Sequence, residues 1–168
     1  MELNPYAKYL ADADGNLRDP IPVLFSTAAT VAKLSTSLTP AQVEHAPAPG
    51  KWCLREIIAH LADCELVFAY RLRQTLAPQP GEAHPMIQPF DQAVWGERYS
   101  AYDLISALAV FSDLRNWNMH LIGATTEADR RRPTTHPERG TMTFWTIVQT
   151  MAGHDIHHLQ QLERLTTT

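Results

Sequence analysis

The chain has 168 residues, 45% hydrophobic and 19% charged, a balance that excludes intrinsic disorder and allows a sizeable buried core. Fourteen lysines and arginines stand against 18 acids, and the formal charge of -4 lacks the basic footprint of a nucleic-acid binder. No apolar run approaches the roughly 20 residues of a bilayer span.

The N-terminal stretch MELNPYAKYLADADG carries acids and no apolar h-region, so it does not read as a secretory signal. A cytoplasmic location is expected, with Cys53 and Cys64 as reduced thiols. Proline divides the rest of the chain. It lacks the N–H and its ring clashes with the preceding turn, so the 12 prolines leave four long helical windows at 23–39, 50–77, 90–132 and 138–168.

The first helix is predicted from about Pro20 to Ser37, with Asp19 as N-cap and an apolar stripe of Leu24, Phe25, Ala28, Val31, Leu34 and Leu38. Thr39-Pro40-Ala41-Gln42 reads as a capping box that opens a short helical turn. The second helix is predicted from about Leu54 to Leu76, and segment 78–90 as a long loop crossing between helices. The third is predicted from Ser100, where Ser100 and Asp103 resemble a capping box, to about Ile122. A short helix over Thr125 to Arg132 and a fourth long helix from about Thr143 to Leu165, capped by Thr141 or Thr143, complete the chain. No Val/Ile/Thr run alternates well enough to predict a strand. The expectation is one domain, an all-α four-helix bundle.

Eight histidines are the unusual count. A helix advances about 100° per residue, so each side chain can be placed on a wheel. On the fourth helix Phe144, Val148, Met151, Leu159, Leu162 and Leu165 define the buried arc. His158 falls about 40° and His154 about 80° to one side of its centre, Asp155 falls near the centre, and His157 points about 140° away, towards solvent. On the second helix Leu54, Ile57, Ile58, Leu61, Phe68 and Leu72 define the inner arc, with Glu65 near its centre and His60 and Cys64 along one flank. Arg115 and Asn118 interrupt the arc of Leu104, Leu108, Phe111 and Ile122 on the third. Unpartnered buried polar groups cost free energy, so this set needs a reason.

Two readings of the histidines are open. In one, His154 and His158, four apart on one helix face, present two nitrogens to a metal ion, and His60 from a facing helix completes a three-histidine set with open positions. In the other, they are hydrogen-bonded core or surface groups. Glu65, Arg115 and Asp155 read first as a structural buried ion-pair network. Their alternative roles are to orient a ligating imidazole or, for Arg115, to bind a substrate carboxylate. Cys64 reads as a small buried residue and Cys53 as a helix-start residue. Trp52 and Trp95 read as packing residues. His45, His84, His120, His136 and His157 read as solvated or loop histidines, and Arg130 to Arg132 as a solvated helix end.

The segment GKWCLREIIAHLADCE at 50–65 resembles the signature second-helix segment of the DinB/YfiT-like superfamily, and MAGHDIHHLQQL at 151–162 resembles its C-terminal metal motif. The resemblance covers about residues 20 to 165. Cys53 departs from the serine or threonine common after the tryptophan. The resemblance implies a bundle of an up-up-down-down type with long crossover connections, often a homodimer. It implies a divalent metal, commonly zinc or nickel, on His60, His154 and His158; imidazole also suits iron. Some relatives transfer or isomerise using a low-molecular-weight thiol, and those that name the family are DNA-damage-inducible with no established reaction.

Three functions follow as expectations. The first is metal-dependent activation of a small-molecule thiol for S-transfer to an electrophile. The second is metal-dependent hydrolysis, for which Glu65 and Asp155 are the nearest candidate bases. The third is a non-enzymatic, stress-related metal-binding or interaction protein. A bundle whose histidines bind nothing is the bland alternative.

Overall fold

The structure, a computed structural model, describes residues 3–81 and 84–166. Its elements in chain order are α1 (Ala7–Leu10), α2 (Ile21–Thr36), α3 (Pro40–Val43), α4 (Leu54–Leu76), α5 (Gln92–Gly96), a 3-10 turn (Tyr99–Ala101), α6 (Leu104–Gly123), α7 (Glu127–Arg130), β1 (Pro133–His136), β2 (Gly140–Thr143) and α8 (Phe144–Thr166). The four long helices α2, α4, α6 and α8 form the bundle. Among the described residues, no helix is long and apolar enough to cross a membrane.

Local chemistry sets the helix ends. The Glu56 carboxylate accepts from the Cys53 N–H at 3.0 Å, so the start of α4 keeps this half of a capping box without serine or threonine. Thr39 and Gln42 form the predicted box around α3. Asp103 alone caps α6, accepting from the Ser106 N–H at 2.9 Å, while Ser100 lies in the preceding 3-10 turn rather than in a box. Thr143 caps α8, accepting from the Thr146 N–H at 3.2 Å.

Two apolar clusters fix the helix directions. One gathers Leu24 of α2, Phe68 and Leu72 of α4, Ile122 of α6, and Phe144 to Met151 of α8. The other gathers Val31 of α2, Leu54 to Leu61 of α4, Phe111 of α6 and Leu162 of α8. Helices α4 and α6 therefore run parallel to each other and antiparallel to α2 and α8. This corrects the expected order: the bundle is up-down-down-up, not up-up-down-down. A parallel pair forces the chain to return along the full helix, about 35 Å for 23 residues of α4, which is why the long connection 77–103 exists. Helix α2 packs on α6 and α8, and α4 packs on the same two, so α2 and α4 lie on a diagonal.

Two strands were not expected. β1 and β2 pair antiparallel, with Pro133 opposite Thr143 and His136 opposite Gly140. The crossing loop docks on the hairpin: the Ile87 N–H donates to the Thr135 carbonyl, and the Thr135 N–H to the Pro85 carbonyl, both at 2.9 Å. The hairpin tucks His136 into the interior, so it is not a solvated histidine. Phe25, placed on the apolar stripe of α2, is 79% exposed. Thr27 and Ser35 take the buried positions on that helix, each donating its hydroxyl to a carbonyl four residues back.

Candidate metal centre

Between the two apolar clusters lies a polar layer made by α4, α6 and α8. His60 sits one turn before Cys64 on α4, and His154 one turn before His158 on α8. Residues four apart on a helix share a face, so each pair points into the layer. The Nε2 atoms of His60 and His158 each lie 3.1 Å from His154 Nε2. All three candidate ligand atoms fall within 4.8 Å of one another, and all three side chains are buried.

The outer nitrogens of His60 and His158 have partners. His60 Nδ1 lies 3.1 Å from the Tyr99 hydroxyl, and His158 Nδ1 lies 2.8 Å from Gln161 Oε1. A proton held at Nδ1 by such a partner leaves Nε2 with its lone pair facing inward. Trp52 covers His60 with ring centroids 4.8 Å apart, and Tyr6 meets His154 edge-on at 5.1 Å. Burial keeps the imidazoles neutral. It pulls His60 down to about 4 and His158 to about 3, and it puts His154 well below the usual histidine range. Three neutral imidazoles thus bring their Nε2 atoms together, an arrangement a cation would relieve.

Beneath the triad, Arg115 of α6 binds Glu65 through Nε at 3.1 Å and Nη2 at 2.8 Å. It binds Asp155 through Nη1 at 2.7 Å and Nη2 at 3.1 Å, and donates to the Leu24 carbonyl at 3.0 Å. Burial works against the charged guanidinium, but Asp155 and Glu65 outweigh it and hold Arg115 above its ordinary pKa. The Arg115 cation is shared between the two carboxylates, and it also helps hold His154 below the usual histidine range. Asn118 joins the network, donating to Glu65 Oε1 at 2.9 Å.

The structure therefore brings His60, His154 and His158 together, and gathers Glu65, Arg115 and Asp155 into a neighbouring cluster. Both carboxylates are turned to Arg115; the imidazole partners are Tyr99 and Gln161, which the sequence did not single out. Gln161, at i+3 from His158, was visible as a helical neighbour; Tyr99 comes from a loop about 40 residues away and had no local signal. Cys64 lies closer to the triad than a filler residue would, with Sγ 3.5 Å from His60 Nε2 and 3.7 Å from His154 Nε2. Burial and nearby Asp63 push its thiol well above the ordinary cysteine range. His157 is half-buried rather than solvated: its ring packs on Tyr9 at 4.9 Å and Tyr6 at 5.9 Å.

A cavity of about 550 Å³ reaches the triad at Cys64 and His154 and runs past Phe68, Arg71 and Phe90 to the hairpin. A second, of about 620 Å³, touches Trp52 and Gln161 but none of the three imidazoles. Of these two, the first is placed to admit a reactant to His154.

The DinB superfamily profile matches residues 26–162. A protein of Oceanobacillus iheyensis, named as a candidate metal-dependent hydrolase, is 30% identical over 119 residues, 69% of this chain and 66% of its own. A Bacillus pumilus protein with the same kind of name is 31% identical over 135 residues, 79% of this chain and 74% of its own. The solved structure of Bacillus subtilis YfiT, described as a metal-dependent hydrolase candidate of unusual four-helix bundle topology, superposes with a TM-score of 0.79. It is 24% identical and aligns with 88% of this chain and 84% of that one. With a profile match over most of its length and the same bundle, the chain belongs to the DinB superfamily.

Proposed function

We propose that this protein is a divalent-metal enzyme in which His60, His154 and His158 hold the ion, and that it activates a low-molecular-weight thiol for transfer to an electrophile. The observation that carries the metal is the convergence of three neutral imidazoles, with the Nε2 atoms of His60 and His158 each 3.1 Å from that of His154 and no acid among them. Zinc and nickel suit such a set, and iron is compatible with it. A divalent ion there would lower the pKa of a thiol or water bound to it.

The residues around the triad favour the thiol. Glu65 and Asp155 are each held by two bonds to Arg115, so neither is free to take a proton from an attacking water. A thiol needs less help, because its proton is lost far more readily than that of water. Tyr99 and Gln161 fix the imidazole rings. Tyr6 and Phe68 set aromatic rings against His154, with centroids 5.1 and 6.1 Å away, where the cavity reaches it. Hydrolysis is the second reading, favoured by the names of the relatives.

The experiment begins with elemental analysis of tag-free protein. Metal-loaded protein is then given bacillithiol, mycothiol or glutathione with monochlorobimane, and, separately, ester and phosphate substrates without thiol. Metal-dependent adduct formation with one thiol supports S-transfer. Thiol-independent turnover supports hydrolysis, and less than about 0.1 metal per chain after metal titration overturns both.

A further inference from the structure

The cavity that reaches His154 carries two arginines that the metal site does not use. Arg71 stands on α4 seven residues beyond Cys64, two turns along the same face and about 10 Å further down the axis. Its side chain is buried, with 8% of the residue exposed. Nη2 donates to the Gln88 carbonyl at 2.8 Å, and the guanidinium lies 5.9 Å from the Phe90 ring centroid. The Nε–H is buried with no partner. A buried donor of a charged group left unpaired is costly, and an arginine fork is shaped for a planar or tetrahedral anion.

Arg139, on the hairpin turn, lines the same cavity. No ion pair engages either arginine among the described residues. Two acids share the lining: Asp91 accepts from the Ala93 and Val94 N–H groups at 2.9 and 3.2 Å to cap α5, and Glu138 is exposed on the turn. The two guanidinium groups feel each other. Burial first and Arg139 second pull Arg71 down to about 10. Arg139 also acts on His136 and Tyr6, which border the same space. Like charges crowded into a partly enclosed cavity are relieved by a bound anion.

We propose that Arg71 and Arg139 form an anion-binding subsite that takes the carboxylate or phosphate group of the reacting molecule. The fold puts this subsite about two helical turns from the Cys64 level, so a substrate anchored there presents an atom several bonds away to the triad. The substrate class is then a small molecule with an acidic group at one end and the reacting centre at the other. The assignment of that molecule as substrate rests on the metal-enzyme reading above; the anion subsite itself does not.

The test uses chelator-treated protein, so that it is independent of the metal. Melting temperature and titration calorimetry are followed with inorganic phosphate, acetate and succinate, against chloride at equal ionic strength. The expected result is saturable stabilisation by phosphate or by a carboxylate, whichever the subsite prefers. Arg139→Gln should weaken that affinity about tenfold or more, the worth of a charge-assisted hydrogen bond. Arg71→Gln should do the same, and Arg71→Lys, which keeps charge but loses the fork, should restore only part. Arg139 is only half-buried and no ion pair engages it among the described residues, so its variant should fold even if Arg71→Gln does not. Stabilisation no greater than with chloride, or affinity unchanged in Arg139→Gln, overturns the subsite. Saturable anion binding in a protein that takes up no metal keeps the subsite and overturns only its role as a substrate anchor.

Discussion

His60 Nε2 and His154 Nε2 stand 3.1 Å apart although 94 positions separate them in the chain. The contact exists because α4 and α8 are antiparallel neighbours and each turns an i, i+4 pair into one layer. His60→Ala, His154→Ala and His158→Ala should each weaken metal affinity by more than about 100-fold, since even a lost supporting group costs 10- to 100-fold. His157→Ala should leave it within a few-fold, because that ring packs against Tyr6 and Tyr9 instead. Titration calorimetry on the four variants decides this. Loss of binding in His157→Ala alone would place the wrong imidazole at the ion.

Among the described residues, Arg115 is the charge partner of both Glu65 and Asp155. Arg115→Met removes the cation and leaves two buried carboxylates facing each other. Breaking a buried pair in this way costs about 3–5 kcal/mol. Urea denaturation should show that loss, and adding Glu65→Gln or Asp155→Asn to Arg115→Met should recover part of it. A single variant as stable as the parent would show that the cluster carries no net stability.

Gly153 lies on the face of α8 that meets the N-terminal segment. A Cβ there would come 2.8 Å from Tyr6 Cβ and 3.0 Å from the Tyr6 carbonyl carbon. Gly153→Ala should cost about 1–3 kcal/mol through this overpacking and lift Tyr6 from the edge of His154. At Gly123, the last residue of α6, a Cβ would meet nothing within 4 Å. Gly123→Ala should be neutral or stabilise by up to about 1 kcal/mol, because alanine costs less chain entropy in a helix. Thermal melts of the pair test both signs together.

Stability without metal should fall with acidification. The unfolded histidines take up protons near 6.5, whereas His60 and His158 in the fold wait until about 4 and about 3. Between those values the unfolded chain binds more protons, so stability is intact above about 6.5 and lost as pH falls towards the folded pKa. At about 1.4 kcal/mol per pKa unit, His60 alone withdraws on the order of 3 kcal/mol. A metal held on these nitrogens would add a second loss, because protons would displace it. The metal-dependent rise in melting temperature should be present at pH 7.5 and shrink through about 6 to 5. Calorimetry on loaded and chelated protein at matched pH separates the two, and an increment constant down to pH 5 counts against histidine ligation.

Proline and helical periodicity made much of this molecule legible. Pro40, Pro78 and Pro133 fall outside the long helices, as their chemistry requires, and Leu54, Ile57, Ile58, Leu61, Phe68 and Leu72 are buried as their spacing predicts. The same wheel puts His60, His154 and His158 on inward faces. What escaped it depends on contacts distant in sequence. The four-residue strands at Pro133–His136 and Gly140–Thr143 are too short for a period of two to register, and the docked crossing loop is what steadies them. Phe25 sits one position from buried Leu24, an ambiguity of about 100° that only tertiary packing resolves. Tyr6 on His154 had one trace in the sequence, a glycine at 153 inside a helix, where only close approach of another backbone makes the residue useful.

Arg139 and His136 belong to the hairpin, whereas His60, His154 and His158 belong to α4 and α8. Helices α4 and α8 carry the imidazoles and one side of the cavity wall, through Cys64, Phe68, Arg71 and Thr150, whereas the hairpin adds His136, Glu138 and Arg139 to the other. Residues 137–139 can change in length or charge without disturbing a helical turn that holds an imidazole. The bundle can therefore stay constant through evolution while what enters its cavity diversifies, and a library confined to that turn is the economical way to redirect it.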